Sequence, residues 1–116
     1  MIHLESKADT IFTTAEGKLN DRDYDIMLPF IKKKIEEHDS IRWYFQMKNF
    51  EGWTVSALWR DVKFDLKYND RLSKVAIVGD KRWHELMANL MKPFTDAEIK
   101  YYDEKDAPEA TQWIRN

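Results

Sequence analysis

Arg71 to Trp83 reads RLSKVAIVGDKRW. A polar start gives way to Val75-Ala76-Ile77-Val78, and Gly79-Asp80 closes the run before a helical pattern opens at Lys81. Four small or β-branched apolar residues in a row leave no polar face, so they read as a strand covered on both sides. A parallel neighbour is reached only through a long crossover, and the helix starting at Lys81 supplies one. The stretch is therefore the centre of a βαβ unit.

Working outward, the chain before it alternates strand and helix. Ile2 to Ser6 and Thr10 to Ala15 read as two strands joined across Lys7-Ala8-Asp9, with Glu16-Gly17-Lys18 ending the second. Asn20 followed by Asp23 has the form of a helix cap with its reciprocal partner, so a helix starts near Asp21 and runs to about His38. Pro29 inside that helix predicts a kink or a break. Ile41 to Met47, IRWYFQM, is apolar on both faces and reads as a central strand. Asn49-Phe50-Glu51-Gly52 reads as a turn, after which a helix opens close to Trp53 with Val55, Leu58, Trp59 and Val62 as its apolar positions.

After the central run, Lys81 to about Met91 carries Trp83, Leu86, Met87 and Leu90 on one face, and Lys92-Pro93-Phe94 stops it. Glu98 to Tyr102 is a last strand; Ala107 to Arg115 is a last helix, with Pro108 in a tolerated first-turn position. Strict alternation after an N-terminal hairpin predicts an α/β fold: a mostly parallel five-stranded sheet, an antiparallel edge and helices packed against it.

A chain of 116 residues with 43% hydrophobic and 34% charged residues has the balance of one globular domain able to bury a core. The net charge of −2 argues against a nucleic-acid partner, and Lys32-Lys33-Lys34 runs straight into Glu36-Glu37 as a solvated helix face does. The absence of cysteine excludes disulfides and thiolate chemistry and suits the cytoplasm. MIHLESKAD lacks the apolar core of a signal peptide, and no apolar run approaches the roughly 18 residues that span a bilayer.

Landmarks along almost the whole chain resemble the SpoIIAA-like family, which is related to STAS domains and lies near the CRAL-TRIO lipid-binding domains in fold. They are Gly17-Lys18-Leu19 before Asp23-Tyr24, Leu28-Pro29, Phe50-Glu51-Gly52-Trp53 and Ala57 to Lys63. Lys74 to Asp80 with Trp83, Pro93-Phe94, Glu98 to Tyr102, and Glu109-Ala110 with Trp113 complete the set. The resemblance implies a SpoIIAA-like fold and a binding or regulatory role. STAS domains that antagonise anti-sigma factors are switched by phosphorylation of a serine at a helix start. The nearest counterparts here are Thr54 and Ser56, and neither has the Asp-Ser context of those switches.

Candidate ligand-binding residues follow from placement at the ends of the two central strands. Trp53, Trp59 and Trp83 predict an apolar cleft between the second and third helices, bordered by Asp61 and Asp80. The competing reading is that the indoles cover the sheet and that Asp80 merely caps the third helix. For catalysis, His3, His38 and His84 are scattered, and a grouping such as Ser56, His84 and Asp61 lacks the strand-turn-helix context of a nucleophile elbow. No metal-ligand spacing or phosphate loop is present, so neither an enzyme nor a cofactor is expected. The sequence instead points to a domain taking a small apolar or lipid-like ligand, or docking a protein partner. A homodimer through a helical face is expected from the abundance of Trp and Tyr.

Overall fold

The computed structural model describes residues 1–68, 70–91 and 97–116, and of residues 65 and 87–91 the backbone alone. Strands β1 (Ile2–Lys7), β2 (Thr10–Leu19), β3 (Ile41–Trp53), β4 (Leu72–Val78) and β5 (Glu98–Tyr102) form one sheet in the order β1-β2-β3-β4-β5. β1 pairs antiparallel with β2; every later pair is parallel. Helices α1 (Asp21–His38), α2 (Val55–Lys67) and α3 (Lys81–Met91) connect the parallel strands, and α4 (Ala107–Arg115) follows β5 through a 3-10 turn at Glu104–Asp106.

The strand order advances in one direction without reversal. Right-handed crossovers then place α1, α2 and α3 on the same face of the sheet. Alternation along the strands shows it: Ile11, Trp43, Phe45, Met47, Val75 and Ile77 share a core with Tyr24, Met27, Ile31 and Ile35 of α1 and Ala57 and Phe64 of α2. Their neighbours Tyr44, Ala76 and Val78 face the other way, against Ala110 and Ile114 of α4. β4 is the strand buried on both sides, as its run of small apolar residues predicts.

Several local expectations change. β3 does not stop at Met47 but continues to Trp53, with Asn49 and Gly52 at positive φ (48° and 105°) where its register against β2 slips. The proposed turn at Asn49–Gly52 is thus an irregular strand end, because β2 itself continues to Leu19 and supplies a partner. α1 is continuous through Pro29. Proline in a helix interior costs about 3 kcal/mol, whereas Met27 and Ile31 on either side are fully buried and contribute about 1.5–3 kcal/mol each. On α3, Leu86 is exposed and does not face inward. The inward side chains expected of Met87 and Leu90 and the stop at Lys92-Pro93-Phe94 lie outside the described residues.

The start of α1 is as predicted. Asn20 Oδ1 accepts from the Asp23 N–H at 3.1 Å, and the Asp23 carboxylate accepts from the Asn20 N–H at 3.0 Å. Asn20→Ala removes one half of this reciprocal pair. The expected loss is about 1 kcal/mol of unfolding free energy, read from urea denaturation with an unchanged m-value; an unaltered midpoint would show that the cap is dispensable.

Candidate functional site

The connections after β4 and β5 leave the sheet in opposite directions, to α3 on one face and to α4 on the other. Between diverging connections an open sheet has a crevice at the carboxyl ends of its strands. A cleft of about 510 Å³ lies there. Met47, Asn49 and Phe50 come from the end of β3, Gly79 and Asp80 from the end of β4, and Asp103 and Glu104 from the end of β5. Lys81, Arg82 and Trp83 of α3 complete the lining.

The apolar wall is built by a ring cluster. Phe50 lies 4.9 Å from both Trp53 and Trp83 between ring centroids, each pair edge-to-face, and the two indoles are 5.9 Å apart in the same geometry. Gly52 makes the cluster feasible. Its φ of 105° disfavours any side chain, and a Cβ there would stand 3.2 Å from the Trp83 ring. At Gly79 a Cβ would meet the Met47 side chain at 2.9 Å, so only glycine lets that side chain lie against the β4 backbone.

The rim is charged with both signs. Asp80 Oδ1 accepts from the Arg82 N–H at 2.9 Å, and the Arg82 guanidinium donates to Oδ2 at 3.3 Å. The backbone N–H foremost, then the guanidinium, hold the Asp80 carboxyl below the usual carboxylate range. Asp80 thereby serves as cap of α3 and as part of the cleft.

The expected site residues divide. Asp80 and Trp83 line the cleft. Trp53 stands behind Trp83 and is the last residue of β3, not a helical residue. Its indole N–H donates to Tyr24 Oη at 3.0 Å, and that hydroxyl donates to Asp61 Oδ1 at 2.9 Å, so Asp61 is tied to α1 and does not border the cleft. Trp59 projects outward, 58% exposed, because the face of α2 that meets the core is set by Ala57 and Phe64. Thr54 caps α2, its hydroxyl accepting from the Ala57 N–H at 3.1 Å. Ser56 is exposed and donates to Asp21 Oδ1 at 2.9 Å.

The histidines stand apart: His3 on the edge strand β1, His38 at the end of α1, and His84 on α3, its ring tilted against that of Tyr101 at 5.4 Å between centroids. Ser56 donates to Asp21, Asp61 accepts from Tyr24, and His84 contacts Tyr101. Among the described residues, no group of three His, Cys, Asp or Glu is placed to hold a metal. Sequence reasoning missed Met47, Phe50, Arg82, Asp103 and Glu104. A signal existed for the last two, an acidic pair immediately after a parallel strand.

A family model described as SpoIIAA-like matches residues 10–115. The chain belongs to the SpoIIAA-like family. Among solved structures, this SpoIIAA-like chain is similar to an uncharacterized protein of the DUF3478 family with a SpoIIAA-like fold from Shewanella loihica PV-4. The two are 26% identical with a TM-score of 0.78, over 98% of this chain and 92% of that one. No curated protein matches it.

The Asp80 contact gives a directional pH expectation. A carboxylate with a lowered folded-state pKa supports α3 above its ordinary range, and that support fades as pH falls through the lowered value. In a carboxyl-resolved NMR titration, Asp80 should inflect below an unperturbed aspartate. Arg82→Ala should restore only part of the difference, since the larger cause is the backbone N–H. Full restoration would assign the effect to the guanidinium.

Proposed function

We propose that this SpoIIAA-like chain is a non-enzymatic binding or regulatory domain whose small ligand sits in the cleft at the carboxyl ends of β3, β4 and β5. The observation that carries this reading is position: the cleft opens where α3 and α4 depart to opposite faces. Its volume of about 510 Å³ suits a small molecule. Trp83 and Phe50 favour an apolar or planar part, while Asp80, Arg82, Asp103 and Glu104 favour polar groups beside it. The small apolar ligand suggested by the CRAL-TRIO likeness narrows on this lining to one that also carries polar groups. The non-enzymatic role is supported by the scattered histidines and by Ser56 and Asp61 being tied to α1.

Native mass spectrometry of the purified protein tests the reading. A reproducible non-covalent adduct of a few hundred daltons is expected, and Arg82→Glu, which inverts a rim charge on an exposed side chain, should deplete it. A clean apo mass, or an adduct retained by that variant, counts against the cleft.

A second reading, docking of a protein partner, is favoured by the outer face of α2. Val55, Trp59 and Leu66 are 78%, 58% and 53% exposed and share one side of the helix. Isolated exposed apolar residues are ordinary, whereas an aligned set is typical of interfaces. The simplest partner is a second copy, giving a homodimer through a helical face. On this reading a phosphorylation switch belongs to Ser56 rather than Thr54, since Thr54 is already used as the cap of α2. Light scattering should report a dimer that Trp59→Asp converts to monomer; a monomeric wild type would remove the second copy as the partner.

A further inference from the structure

A second recess lies away from the strand ends. Between α1 and α2 runs an open groove of about 480 Å³. Its floor is apolar, with Leu28 and Pro29 from α1 and Phe64 and Tyr68 from α2. Its rim carries four cations, Lys32 from α1 and Arg60, Lys63 and Lys67 from α2; among the described residues no acid lines it. The chain as a whole has a net charge of −2, so this positive rim is a local concentration.

The four cations are not equivalent. Arg60 is committed to α1, with Nη2 2.8 Å from Asp25 Oδ1 and Nη1 3.4 Å from Asp21 Oδ1. Among the described residues, Lys32, Lys63 and Lys67 make no ion pair within 4.0 Å. Lys63 and Lys67 are one turn apart on the same helix, where like charges repel. The helix pair therefore gathers like charges around an apolar trough, with Lys32, Lys63 and Lys67 in no ion pair among the described residues, and an anion placed there relieves the repulsion.

Size separates the candidate occupants. Arg60 to Tyr68 spans about 12 Å of helix, the reach of a medium-length alkyl chain. Eight lining residues fall far short of the roughly 20–30 residues a side in a stable protein interface, while the volume lies within the range of small-molecule sites. We propose that this groove binds a small anionic amphiphile, a single-chain carboxylate whose alkyl part lies on Leu28, Pro29, Phe64 and Tyr68 and whose carboxylate meets Lys63 and Lys67. The site is independent of the cleft beside Trp83.

Decanoate, titrated below its micellar concentration into ¹⁵N-labelled protein, tests the assignment beside decyltrimethylammonium, a cation of the same chain length. Saturable amide shifts are expected at Leu28, Phe64 and Tyr68 with decanoate. Decyltrimethylammonium should bind at least about tenfold more weakly, as should decanoate to the K63E/K67E variant, the scale of two surface charge contacts. Both lysines are exposed, and the variant's own spectrum verifies its fold. Equal affinity for the two amphiphiles, shifts centred on Trp83, or no saturable shift would overturn the proposal. So would a Glu- and Leu-rich peptide that occupies the groove when decanoate does not.

Discussion

Val75, Ala76, Ile77 and Val78 are each almost wholly removed from water, two side chains on each face of the sheet. A strand buried in this way must be covered twice. The unreversed order of the parallel strands sends all three crossover helices to one side. Only the segment after β5 remains to cover the other. α4 has to cross to that face, its Ala110 and Ile114 fully buried against Tyr44, Ala76 and Val78. The divergence of α3 and α4, and with it the crevice at the strand ends, is a consequence of burying β4.

The five tryptophans have four different explanations. Trp43 lies in the core with its N–H satisfied by the buried Thr13 hydroxyl at 2.9 Å. Trp53 and Trp83 close the end of the sheet around Phe50, one anchored through Tyr24 to Asp61 and the other facing the cleft. Trp113 covers the second face, with the ammonium groups of Lys74 and Lys100 at 5.1 and 5.0 Å from its ring. Trp59 alone stands outward on α2. A count of tryptophans signals aromatic packing without saying which ring meets solvent, since that depends on helix rotation.

Much of the fold was legible because its signals are local. The β4 run, the Asn20–Asp23 cap, the Pro108 start and the strand-helix alternation each act over a few residues. The site was legible only in part. Asp80 and Trp83 fall on the cleft lining because strand ends mark crevices in open sheets. Phe50 was hidden inside an apparent turn, since Asn49 and Gly52 look like turn residues unless the continuation of β2 is known. Asp103 and Glu104 join the cleft only through the facing of α4, a tertiary decision. Trp59 and Asp61 were misplaced for one reason: α2 has apolar residues around more than one face, so its pattern alone leaves the rotation undetermined.

That rotation is set by burial and reinforced by pairing between helices. Ser56 and Arg60 stand one turn apart on α2 and meet Asp21 and Asp25, one turn apart on α1. At the same time Asp61 accepts from Tyr24 behind them. Surface ion pairs are each worth little, typically below about 1 kcal/mol. Here they reinforce the orientation in which Ala57 and Phe64 face the core. Ala57 and Phe64 are buried in that orientation, whereas Val55, Trp59 and Leu66 are left in water. The same orientation directs Arg60 to the aspartates and places Lys63 and Lys67 on the groove rim. The outward apolar stripe and the basic groove are therefore two results of one helix rotation, held by α1.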